Sequence, residues 1–226
     1  MFVILSRKYF GFNILAVVLV LAYFYKSNKI SLQDIKNSQQ LVIETSQQIK
    51  EAAVNLPYQE LIEDTAKHLQ MDEELIASIV FVESSFRKNA KSSVGAQGLM
   101  QIMPIVAREY NVKNAFNPQD NLKAGAAHFK NWMRVIEAET YEDQIKMTLA
   151  AYNAGLGHLR DAQRLAIKLD LNPHRWDHVK KAFLLLEQKK YYKKAKFGYC
   201  QGREVNKYVK KVYSTYLAYK HSVFNA

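Results

Sequence analysis

An unbroken apolar stretch that ends in a glutamate and runs on into a glycine-punctuated loop constrains this chain more than any other feature. Asp72-Glu73-Glu74 opens it with acids, which suit the positive N-terminal end of a helix. Leu75, Ile76, Ile79, Val80, Phe81 and Val82 follow as a wide apolar stripe at helical spacing. The pattern predicts a buried helix over Asp72–Phe81, with Glu83 at or near its end. A helix C-terminus is partially negative and apolar surroundings penalise charge, so both raise the pKa of a carboxyl placed there. These residues alone leave two readings open. Glu83 is a solvated helix-terminal residue, or it is a carboxyl held protonated, the form that a general acid needs.

The loop after Glu83 favours the general acid. Gly95 and Gly98 bracket a segment that calls for unusual backbone angles or close approach of another part of the chain. Leu99-Met100-Gln101-Ile102-Met103-Pro104 then places an amide within an apolar run, where Gln101 needs a buried partner or a ligand.

Taken together, Glu83-Ser84-Ser85-Phe86, then Gly95-Ala96-Gln97-Gly98-Leu99-Met100-Gln101-Ile102-Met103-Pro104, then Ala151-Tyr152-Asn153-Ala154-Gly155 resemble the lytic transglycosylases of bacterial cell walls. The resemblance implies an all-α, mostly helical, goose-lysozyme-like catalytic domain. It implies Glu83 as the catalytic acid and base. It also implies Ser84, Gln97, Met100, Gln101, Tyr152, Asn153 and Tyr208 as substrate-binding residues, with the Tyr152 hydroxyl on the glutamate. No metal and no cofactor are expected. Past Gly157 the order Asp161 to Ala166, Trp176 to Lys180, Tyr191 to Lys194, Gly198 to Glu204 and Tyr208-Val209 resembles the catalytic domain of the membrane-bound lytic transglycosylase F subgroup. The match runs from about Pro57 to about Tyr219. Where the subgroup has an arginine before its last Gly-x-Glu, this chain has Gln201. Where it has a solute-binding-like domain, this chain has residues 1–57.

Those residues are of a different kind. Tyr9 to Tyr25 is a seventeen-residue run without charge, bounded by Arg7-Lys8 and Lys26. Aromatic residues gather at both ends, and no small-residue cleavage site comes after them. Residues 1–26 are therefore predicted to be an uncleaved transmembrane signal anchor. Residues 27–57, rich in Gln, Ser and Lys, are predicted to be a helical stalk, either a plain spacer or a surface for an envelope-complex partner. Residues 58–226 form the expected catalytic domain. The implied substrate then places the chain in the bacterial inner membrane as a single-pass protein, with that domain in the periplasm.

The 226 residues hold 32 basic and 21 acidic side chains, a formal +11. That excess suits an anionic polymer or lipid, and without a zinc-finger, helix-turn-helix or aromatic–basic RNA pattern it does not indicate nucleic acid. The basic run Lys189 to Lys196 reads as a solvated face or as an anion site. Cys200, the single cysteine, permits no intramolecular disulfide and is expected to be a buried, inert thiol.

Retaining and inverting glycosidases commonly use two carboxylates. One convincing candidate, Glu83, fits the lytic reaction that the resemblance implies. In it the acid protonates the leaving oxygen between N-acetylmuramic acid and N-acetylglucosamine. As carboxylate it then deprotonates the muramic 6-hydroxyl, which closes a 1,6-anhydro ring. A hydrolytic muramidase on the same fold and a non-catalytic glycan-binding scaffold are the alternatives.

Overall fold

The computed structural model describes residues 56–224. The expected membrane anchor and nearly all of the expected stalk lie outside the described residues. Among those described, no helix is long and apolar enough to cross a membrane.

The described part is helical. In chain order it comprises α1 (Gln59–Leu69), α2 (Glu73–Ser84), α3 (Pro104–Glu109), α4 (Pro118–Val135) and α5 (Tyr141–Ala154). Then come α6 (Leu156–Lys168), α7 (Trp176–Leu185), the single turn α8 (Lys189–Tyr192) and α9 (Gly202–Phe224). Among the described residues the sole strand-like pairings are two isolated bridges, Lys91 with Gln97 and Gln97 with Ile102.

Local chemistry sets the ends of these helices. Pro118 enters α4 at its first turn, and the Asn117 side chain accepts from the Asp120 N–H at 3.1 Å. Thr140 caps α5 through the Asp143 N–H at 3.0 Å, while Asp143 in turn accepts from the Trp176 N–H at 2.8 Å and so joins the starts of α5 and α7. Gly155 ends α5 with φ +92°. Gly157 lies in the first turn of α6, where a Cβ would meet the Phe197 ring at 2.6 Å.

Because α2 is apolar nearly all round, it is enclosed. Leu75, Ile76, Ala77, Ile79 and Val80 are buried, and α9 packs along it. The two helices run antiparallel, pinned at both ends. Near the start of α2, Asp72 accepts from Tyr216 and from Lys220 (3.0 Å) of α9; near its end, Glu83 accepts from Tyr208. On the other flank, Leu122, Ala126, Phe129 and Met133 of α4, with Ile136 just past its end, form a buried stripe. Cys200 is buried, and that burial pushes its thiol up to about 11, so it is inert.

Candidate active site

Glu83 occupies the penultimate position of α2. The two residues after Ser84 end the helix abruptly, with Ser85 at φ +51° and Phe86 at φ +59°. Two successive non-glycine residues in the left-handed region cost about 1–2 kcal/mol each, and such strain is characteristic of functional segments. It turns the chain away from α2 and leaves the carboxylate at the rim of the core. The Arg87 side chain steadies this turn by donating from Nε to the Ser84 carbonyl at 3.0 Å.

The glutamate is half-buried, and burial raises its pKa to about 7, against an opposing pull from the Tyr208 hydroxyl that donates to Oε1 at 2.6 Å. Among the described residues no second carboxylate contributes to that shift. The Tyr208 hydroxyl is itself held well above its ordinary pKa by burial and by the nearby Glu83 charge, so it stays a donor.

Tyr152 completes the cluster differently from expectation. Its hydroxyl donates to the Met100 carbonyl at 2.9 Å, and the phenol on Glu83 is that of Tyr208. The reason is tertiary. In α5, Tyr152 is backed by Phe129, His128 and Trp132 of α4, which direct it toward the loop before α3. Burial and the Glu83 charge both raise the Tyr152 pKa, which places it in the glutamate's electrostatic neighbourhood without a bond between them.

The loop carrying Gln97 to Met103 is organised by one buried side chain. Asn121 accepts from the Met100 N–H at 2.7 Å and donates to the carbonyls of Gln97 (2.9 Å) and Ala115 (2.7 Å). Gly98, with φ +79°, must be glycine, since a Cβ there would lie 2.2 Å from the Asn121 amide and 2.3 Å from the Ala115 carbonyl. Gly125 makes room for Met100 in the same way.

This packing engages three of the expected substrate contacts within the fold. Met100 is 0% exposed, so its side chain belongs to the core and only its carbonyl is in play. Ser84 is 2% exposed and donates back to the Val80 carbonyl at 3.1 Å. Gln101 finds the partners its apolar setting demanded, but they are the carbonyls of Ala90 (3.1 Å) and Gly98 (2.8 Å), so its donors hold the loop. Gln97 is half-buried between the two bridges, and Asn153 is exposed on the last turn of α5. The structure thus brings together Glu83, Tyr208, Tyr152 and the Met100 carbonyl. Tyr110, which bonds Asn131 at 2.8 Å and packs edge-on against His128, is invisible to sequence reasoning because its spacing marks nothing.

Residues 60–173 match the Transglycosylase SLT domain family. Curated proteins named membrane-bound lytic murein transglycosylase F are similar to this chain. The one from Hahella chejuensis is 40% identical over 156 residues, which cover 69% of this chain and 31% of that protein. The one from Desulfosudis oleivorans is 34% identical over 160 residues, covering 70% and 35%. The chain thus spans about a third of the length of these relatives. Two solved structures share the fold. An inactive mutant of the lytic transglycosylase Slt of Pseudomonas aeruginosa has a TM-score of 0.54 at 20% identity, over 94% of this chain and 34% of that one. The 70 kDa soluble lytic transglycosylase of Escherichia coli has a TM-score of 0.52 at 21% identity, over 74% and 24%.

Proposed function

We propose that this chain, which belongs to the Transglycosylase SLT domain family, cleaves peptidoglycan as a lytic transglycosylase with Glu83 as its single acid and base. The observation that carries the reading is a half-buried carboxyl with a pKa of about 7, oriented by a phenol from the opposing helix. Near neutral pH a large share of Glu83 is protonated and can donate to the glycosidic oxygen. The C1–O bond then breaks, and N-acetylglucosamine leaves with that proton. The resulting carboxylate removes the proton from the muramic 6-hydroxyl as its oxygen bonds to C1. The product is a 1,6-anhydromuramic end; no water is consumed, and Glu83 regains its proton.

Tyr208 orients the acid, Asn153 offers its exposed amide to the sugar, and Gln97 lies on the loop of the same wall. The Met100 carbonyl, fixed by Tyr152 and Asn121, supports that wall. The uncharged run before residue 26 and the names of the curated relatives support a single-pass inner-membrane protein with residues 58–226 in the periplasm.

Mass spectrometry of the products formed by the purified chain on isolated peptidoglycan tests the reaction. Muropeptides one water lighter than hydrolytic products are expected. Hydrated ends would make it a muramidase, and binding without any product would make it a scaffold.

Tyr208→Phe tests the orienting role. The Tyr208 bond lowers the Glu83 pKa, so its loss raises that pKa further. The alkaline limb of kcat/KM, which reports the loss of the protonated acid, is expected to move to higher pH. The maximal rate should fall by roughly 10- to 100-fold, since the acid loses its positioning partner. An unmoved limb would remove Tyr208 from the catalytic arrangement.

A further inference from the structure

Between α6 and α8 lies a cavity of about 200 Å³, lined by Arg164, Lys168, Lys190 and Lys194 and by the partly exposed apolar surface of Leu169 and Tyr191. Its wall is fixed by a buried charge. The Asp161 carboxylate, on α6, accepts from the backbone N–H of Lys196 (3.0 Å) and of Phe197 (2.6 Å) and from the Arg164 guanidinium. Burial works against its ionisation, but these donors prevail and hold the carboxyl below its ordinary pKa. An ionised Asp161 therefore ties the segment after α8, with Lys194 in it, to α6.

Arg164 is balanced by Asp161. The other three cations are not balanced. Among the described residues Lys168 and Lys194 have no side-chain partner, and Lys190 rests only against the Tyr191 ring at 5.3 Å. Three ammonium groups arranged around one small concavity repel one another, and an anion seated between them relieves that repulsion. The apolar surface calls for an aliphatic body beside the anionic group.

We propose that this cavity is a second binding site, for a short carboxylate-bearing peptide held by Lys168, Lys190 and Lys194 through its carboxylates and by the partly exposed Leu169 and Tyr191 through its aliphatic part. The source of that peptide rests on the proposed activity on peptidoglycan, whose strands carry acidic stem peptides. Reach is consistent with it. Tyr152, in the last turn of α5, lies in the electrostatic neighbourhood of Glu83, and α6 begins after one glycine. From Leu156 to Lys168 the helix rises about 18 Å. An extended peptide of five residues spans about 17 Å. A concave site of this size admits a free chain end, whereas a bilayer presents a broad plane.

The test compares the full chain with K168Q/K190Q/K194Q and with K67Q/K113Q/K123Q, which removes the same charge from α1, α4 and the loop before α4. Substrates are glycan strands bearing stem peptides and the same strands stripped by an amidase. The binding probe is the free tripeptide Ala-γ-Glu-diaminopimelate, followed by calorimetry. For K168Q/K190Q/K194Q we expect KM on peptide-bearing glycan to rise about tenfold and tripeptide affinity to fall comparably. Its kcat and its kinetics on stripped glycan should not change, and the control should match wild type throughout. Equal losses in both variants, or none in either, would overturn the proposal, since the attraction would then be general or absent. Retained tripeptide binding with lost sedimentation on phosphatidylglycerol vesicles would overturn it in favour of a bilayer contact. If the wild-type chain cleaves neither glycan, the catalytic reading fails, and the calorimetric comparison still decides the cavity.

Discussion

Glu83→Gln is expected to abolish anhydromuropeptide formation, by about 10²- to 10⁴-fold or more, and at the same time to make the protein more stable above neutral pH. Both effects follow from one placement. The glutamine keeps the shape and still accepts from Tyr208, but it can neither give nor take the proton. The stability effect is one of linkage. Burial raises the Glu83 pKa from its ordinary 4.5 to about 7. Its protonated form is therefore fully accommodated below 4.5, and stability is lost as pH rises through about 7, where a charge must be held in a poorly solvated place. At pH 8 the difference is as much as about 3 kcal/mol. For a domain of this size that corresponds to about 6–12 °C in Tm. Melting both proteins at pH 4 and pH 8 checks the sign. The variant should melt higher at pH 8, with a much smaller difference at pH 4. A pH-independent difference would mean that Glu83 is solvated, and the case for it as a neutral-pH acid would fall with it.

The parts of this site that sequence made legible are those whose signal is local. The apolar run before Glu83 and the glycines at 95 and 98 announce a buried helix and a strained loop by residue type alone, and both are present. Partners were harder. Tyr208 lies 125 residues from Glu83, and nothing near it marks it as the orienting phenol rather than a packing residue of α9. Tyr152 was given the wrong acceptor because its direction is decided by the α4 aromatics behind it. Ser84 and Met100 were read as cleft residues because a motif does not say which of its side chains face inward. That is set by the crowding of α2 and by the approach of Gly125. The tie from Asp72 to Tyr216 and Lys220 carries no short-range pattern at all, yet with Tyr208 it fixes α9 along α2.

Asn121→Ala is expected to be the most damaging single truncation away from the glutamate. The side chain is 0% exposed and makes three hydrogen bonds, all to backbone, in two segments: the loop at Gln97 and Met100, and the turn at Ala115. Alanine would strand the Met100 N–H and the Ala115 carbonyl, each worth about 1–3 kcal/mol, while the Gln97 carbonyl keeps the Ile102 N–H at 3.0 Å, so a loss of roughly 2–6 kcal/mol is expected. Urea denaturation measures it directly, and a loss under about 1 kcal/mol would show that the loop has other supports. The effect should not stop at stability. Asn121 holds the Met100 peptide whose carbonyl receives the Tyr152 hydroxyl, so the wall beside Glu83 is expected to loosen and kcat to fall in protein that remains folded. Asn121→Asp separates the two functions of the amide. It retains the acceptor for the Met100 N–H but turns an oxygen toward the carbonyl oxygens of Gln97 and Ala115, the second of which is left without a donor. A carboxyl buried there has a raised pKa, so the variant should lose stability as pH rises and recover part of it in acid, when a protonated oxygen can again donate. That recovery is absent from Asn121→Ala if the hydrogen bonds, rather than the volume of the side chain, hold the loop.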